Sequence, residues 1–207
     1  MSVTIKMNVI RREEWGALPG KGLEPMDLPI KHVLFSAENE FQYCLDEQEC
    51  THSVRSIQKH YLDKGLEDIP YNFIVGNDGN VYEGRGWNNK PGPDVQKDPS
   101  FKNNPTLDIG VICGHKEITP DKMDLVRSAF QLAEDFVKFG IQEKKVEADY
   151  EFEGFSDDVK APDEPSLNDK LEADFEEFAL KHPDYFPIMS KQILEKRAKA
   201  QLEQAAA

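Results

Sequence analysis

A chain of 207 residues, 39% of them hydrophobic, is long enough to bury one sizeable core with a tail to spare. Its formal net charge of -14 argues against nucleic acid or an anionic membrane surface as partner, because both require a basic footprint. No apolar run approaches the roughly 20 residues needed to span a bilayer.

The first residues, Met1 to Lys6, lack the sustained apolar core and small-residue cleavage site of a secretory leader. Two readings follow: a mature chain whose leader has been removed, or an intracellular protein with Met1 as its native start. Lys31 to Ala37 reads as a short buried strand. Cys44 and Cys50, if paired, would close a small loop worth roughly 2 kcal/mol in the chain-entropy model. Thr51 to Lys64 reads as a helix with Val54, Ile57 and Tyr61 on one face and Gly65 as its stop. Tyr71 to Val75 and Asn80 to Glu83 read as strands. Asn77-Asp78-Gly79 between them is a hairpin signal, because Asp-Gly tolerates the positive φ of a tight turn.

Lys90 to Pro105 is rich in Pro, Asn, Asp and Lys and reads as a long loop near the sheet, of a kind that often carries function. Leu107 to Cys113 is a further apolar strand, in which Cys113 reads as a buried small hydrophobe rather than a reactive thiol. Thr119-Pro120 opens a long helix, with Met123, Val126, Phe130, Ala133 and Val137 inward and Gly140 at its end. Val146 to Phe152 reads as a last strand. Ser166 would cap a helix with Leu167, Leu171, Phe175 and Phe178 inward.

Ile188 to Gln204 reads as an added C-terminal helix, loosely patterned by Ile193, Leu194 and Leu202 and suited to docking on the body, fraying or binding a partner. Ala205 to Ala207 resembles a cloning scar. The expected fold is α/β (α+β): a central mixed sheet flanked by helices. The expected division is residues 1–187 and 188–207.

Neither a Gly-x-x-x-x-Gly-Lys phosphate loop nor a Gly-x-Ser-x-Gly elbow is present. The carboxylates from Glu143 to Glu177 lack EF-hand spacing and read as a solvated acidic face in preference to a calcium site.

The opening Arg12 to Ala17, the Cys44 and Cys50 pair followed by Val54 to Gln58, and the run Asp68 to Trp87 together resemble the peptidoglycan recognition protein family, whose fold is shared with zinc-dependent N-acetylmuramoyl-L-alanine amidases. Arg12-Glu13-Glu14-Trp15-Gly16-Ala17 is similar to the family's opening Arg-x-x-Trp-Gly-Ala. Cys44 and Cys50, followed by Val54 to Gln58, resemble its disulfide and first helix. The long run Asp68 to Trp87 is the most specific match, and Asp108 to Val111 and Tyr150 to Gly154 extend it.

The resemblance implies a zinc site of two histidines and a cysteine with an open position for water. Here those positions fall near Leu34, Phe35, Phe155 and Glu164, none in a set able to cage zinc. The early strand carries Leu34, Phe35 and Ser36, and His32 comes too early by about 6–7 Å of strand. The late Gly-His-Arg becomes Gly154-Phe155-Ser156, and no cysteine occurs from Ala161 to Ser166.

Tyr71 matches the tyrosine that active relatives use to polarise the scissile carbonyl. The plainer reading is a buried strand tyrosine with one hydrogen bond. No cofactor and no catalytic residue are expected.

The candidate ligand-binding residues, by resemblance, are His60, Tyr71, Arg85, Trp87, Asn88, Asn89 and Asp94. Asp94 stands where the family's Gly-Ala-His places a ligand-contacting histidine, so an anionic acceptor replaces a donor. The expectation is a catalytically inactive module that binds peptidoglycan or muropeptides in innate immunity, secreted like its family. The alternatives are a degenerate relative acting through a protein partner or as a structural module, and a zinc amidase with a rebuilt site.

Overall fold

The structure is a computed structural model. It describes residues 5–38, 40–93, 95, 101, 104–114, 120–156 and 167–205, the side chains of 120–121, 154–156, 167–172 and 205 excepted. Six strands form one mixed sheet: β1 (Val9–Ile10), β2 (Ile30–Glu38), β3 (Phe73–Val75), β4 (Val81–Glu83), β5 (Thr106–Ile112) and β6 (Val146–Ser156). Their order across the sheet is β1-β4-β3-β5-β2-β6. Among the described strands only β3 and β4 pair antiparallel, as a hairpin whose Gly79 takes φ 85°, so the Asp78-Gly79 signal describes the turn it predicts.

Among the described residues the helices with full bounds are α1 (Arg12–Trp15), α2 (Glu47–Asp63), α3 (Pro120–Gln142), α4 (Leu167–Lys181) and α5 (Pro187–Ala205). α2 begins earlier than its apolar face suggests. Asp46 caps it, accepting from Glu49 N at 2.9 Å, and the acidic residues of the first turn suit the positive end of the helix.

Alternation along the strands builds two cores. On the α2 side, Trp15, Cys44, Cys50, Val54, Ile57, Tyr71, Ile74, Tyr82 and Ile112 pack together. On the α3 side, Phe35 meets Phe130 and Phe152, and Phe73 meets Phe136. Cys44 and Cys50 are joined by a disulfide, and Cys113 is a buried free thiol, its pKa pushed up by burial. β1 and α1, too short to be read from periodicity, are held by long-range bonds. Trp15 Nε1 donates to Glu83 O at 2.9 Å, and Arg12 to Gly84 O at 2.6 Å.

The chain divides into two compact units, Met1–Ser156 and Asp157–Ala207. The second pairs α4 with α5, whereas the sequence reading sets only 188–207 apart. Phe175, Phe178 and Phe186 form its aromatic cluster, and Ser190 Oγ donates to Ala179 O. The helix α5 is packed at Met189 and Ile193, while Leu194 and Leu202 are exposed. Among the described residues no helix is long and apolar enough to cross a membrane.

Candidate functional site

Tyr71 is placed by the segment that leads into β3. Asp68 pins that segment: its carboxylate accepts from Gln58 Nε2 at 2.7 Å and Ile69 N at 2.8 Å, and pairs with Arg12 at 2.9 Å. The Tyr71 ring then lies on Gly110, where a Cβ would come within 2.7 Å of the ring; any side chain there would displace the tyrosine.

The hydroxyl of Tyr71 donates to Glu38 Oε2 at 2.9 Å. Tyr61 Oη lies 3.1 Å from Tyr71 Oη and donates to Glu38 at 3.4 Å, while Glu40 N donates to the other Glu38 oxygen at 3.1 Å. Glu38 is 2% exposed and Tyr71 3%. Burial raises the Glu38 pKa, opposed by the hydrogen bonds from Glu40 N, Tyr71 and Tyr61. Burial, and then the charge of Glu38, raises that of Tyr71 well above its ordinary value. Tyr71 is therefore a protonated donor committed to a carboxylate.

Glu38 is absent from the sequence-predicted site, because the strand was expected to end at Ala37. The alternation of His32, Leu34, Ser36 and Glu38 on one face of β2 is the signal that places it beside Tyr71.

The zinc-ligand positions expected from the resemblance can be tested against this geometry. Phe35 is fully buried against Phe130 and Phe152, on the α3 side. Leu34 shares the Tyr71 side but is a buried hydrocarbon. Ser36 Oγ is spent on Asp108 Oδ1 at 2.6 Å. Phe155 pairs with Phe35 in the backbone register, its side chain lying outside the described residues, as does all of Glu164. Among the described residues, no group of three His, Cys, Asp or Glu side chains containing Glu38 gathers at Tyr71. One carboxylate and two phenols do not match the donor set of a three-ligand zinc centre.

The remaining candidates do not converge on Tyr71. His60 pairs with Glu40, Nε2 to Oε2 2.6 Å, and sits edge-on to Phe41 and Tyr61. Arg85 is buried, and its Nε donates to Ile69 O at 2.7 Å. Burial lowers its pKa, with Asp68 and Glu67 opposing. Trp87 stacks on Phe136 at 5.1 Å and packs at a tilt against Phe73 at 4.6 Å, on the α3 side, whereas Tyr71 lies on the α2 side. Asn89 Nδ2 donates to Arg85 O at 2.7 Å, and its own carbonyl accepts from Asn72. Asn88 is exposed, and Asp94 lies outside the described residues. Three of these residues thus spend their polar or aromatic groups on holding the turn after β4.

No family model matches the chain. It is 31% identical over 153 residues to Peptidoglycan recognition protein 1 of Rattus norvegicus, an alignment spanning 72% of this chain and 76% of that one. Its fold is similar to the ectodomain of the Drosophila transmembrane receptor PGRP-LCa, with TM-score 0.65 and 26% identity over 81% of this chain and 96% of that one. It is also similar to human PGRP-IBETAC, solved in complex with glycosamyl muramyl pentapeptide, with TM-score 0.59 and 27% identity over 78% of this chain and 91% of that one.

Proposed function

The chain belongs to the peptidoglycan recognition protein family, and from that premise we propose that it binds peptidoglycan or its muropeptides in innate immune recognition without cleaving them. One observation carries the non-cleaving half. The hydroxyl that an amidase would aim at a scissile carbonyl donates instead to the buried Glu38. Leu34 and Phe35 add to this, since hydrocarbon side chains have no lone pair for a metal and so no means to activate water.

The binding half rests on relatives, one of them solved with a muramyl pentapeptide. The Cys44–Cys50 disulfide suits an oxidising, extracellular setting. The test is calorimetric titration with lysine-type and diaminopimelate-type muropeptides, alongside retention on insoluble peptidoglycan. Saturable binding to either supports the proposal; no binding at modest salt removes it.

A second reading, a relative that acts through a protein partner, is favoured by one feature. Leu194 and Leu202 of α5 are 58% and 72% exposed. Replacing both by lysine would abolish partner binding under this reading and leave muropeptide binding intact under the first.

A further inference from the structure

We propose that His32, Glu151 and Glu153 form a divalent-metal site joining β2 to β6, separate from the Tyr71 site. His32 and Glu151 are register partners on parallel strands, and Glu153, two residues on, reaches the same histidine. His32 Nδ1 lies 2.6 Å from Glu153 Oε1 and 3.9 Å from Glu151 Oε2, and one ligand atom from each residue falls within 4.8 Å of the others.

A zinc-like ion holds nitrogen and oxygen ligands at about 2.0–2.2 Å, which sets tetrahedral ligand-to-ligand distances of about 3.4 Å. The observed separations bracket that value, so rotamer adjustments alone would seat an ion in place of the proton between His32 and Glu153.

The charge favours a cation. Two carboxylates face one imidazole, leaving negative charge in either state of the histidine. The ring is fixed by its strand and lies edge-on to Phe101 at 6.4 Å, its side chain 13% exposed. The 72% exposed Glu151 leaves the outer side open, so water can complete the coordination. An imidazole with two carboxylates suits zinc or another late first-row dication better than calcium or magnesium, which prefer all-oxygen shells.

The ion would cross-link β6, an edge strand whose pairing with β2 shifts register twice, to the interior of the sheet. At about 3.3 Å per residue of strand, His32 lies roughly 20 Å along β2 from Glu38, too far to supply an activated water to Tyr71.

The test is zinc titration of tag-free, chelator-stripped full chain near neutral pH, followed by calorimetry and by the 15N shifts of the histidine rings. One ion per chain, a large shift confined to the His32 ring and a raised melting temperature are expected. His32→Gln, Glu153→Gln and Glu151→Gln should each weaken binding by about tenfold or more. His60→Gln should leave it unchanged. Absence of saturable binding overturns the proposal, as does binding that survives His32→Gln. If His32→Gln fails to fold, the exposed Glu151→Gln decides: unchanged affinity there overturns it.

Discussion

Tyr71 Oη donates to Glu38 Oε2 across 2.9 Å, with both side chains buried beneath the Tyr61 hydroxyl. In this arrangement the tyrosine works for the fold. Tyr71→Phe should cost about 1–2 kcal/mol, the value of one hydrogen bond to a buried carboxyl, measured by urea denaturation. The same variant should change no hydrolytic rate. An amidase would show the reverse, a large kinetic loss with little change in stability.

Trp87 should behave as a core residue. It packs against Phe73 and stacks on Phe136, so Trp87→Ala should destabilise by about 3 kcal/mol. Asn88→Ala, at an exposed position, should stay within about 0.5 kcal/mol of the parent. Any loss of muropeptide affinity in the Asn88 variant then reports contact, since the fold is untouched. Thermal denaturation of the two variants separates these roles.

The stability of the chain should fall as pH rises toward neutrality because of Glu134. This carboxyl is 2% exposed, accepts from Tyr150 Oη at 3.2 Å, and has its pKa raised by burial from 4.5 to about 7. Between those values the folded chain holds a proton that the unfolded chain releases. The stabilising contribution is complete below about pH 4.5 and is lost as pH rises through about 7. At about 1.4 kcal/mol per pKa unit the full loss is about 3 kcal/mol. Glu134→Gln, which keeps an acceptor for Tyr150, should therefore gain on the parent as pH rises from 5 to 8 by roughly that amount. A constant difference in melting temperature across that range would contradict this assignment.

Reducing the Cys44–Cys50 bridge should cost about 2 kcal/mol, since it closes a loop of sequence separation 6. The expected effect is a lower denaturation midpoint under reducing conditions. The double Cys→Ser variant should match the reduced parent.

Much of the fold was legible because its signals are local. The Asp78-Gly79 turn sits between two short apolar runs, and the apolar face of α2 recurs at helical spacing. The site was less legible because its contacts are distant in sequence. Trp87 reads as a ligand-binding candidate until Phe136, on a helix far along the chain, stacks on it. Arg85 reads as a ligand-binding candidate until Ile69 O takes its Nε and the Lys90 and Pro91 carbonyls its Nη1. Glu38 was missed because the charged run after Ala37 suggests a loop, while the backbone continues in register to pair Glu38 with Ile112.

Mass spectrometry of a defined muramyl peptide after prolonged incubation with the purified chain and excess zinc is the decisive measurement of binding without cleavage. The muramyl peptide is expected to be recovered intact while remaining a saturable ligand of the protein. Release of free stem peptide, dependent on the chain and abolished by Tyr71→Phe, would contradict it.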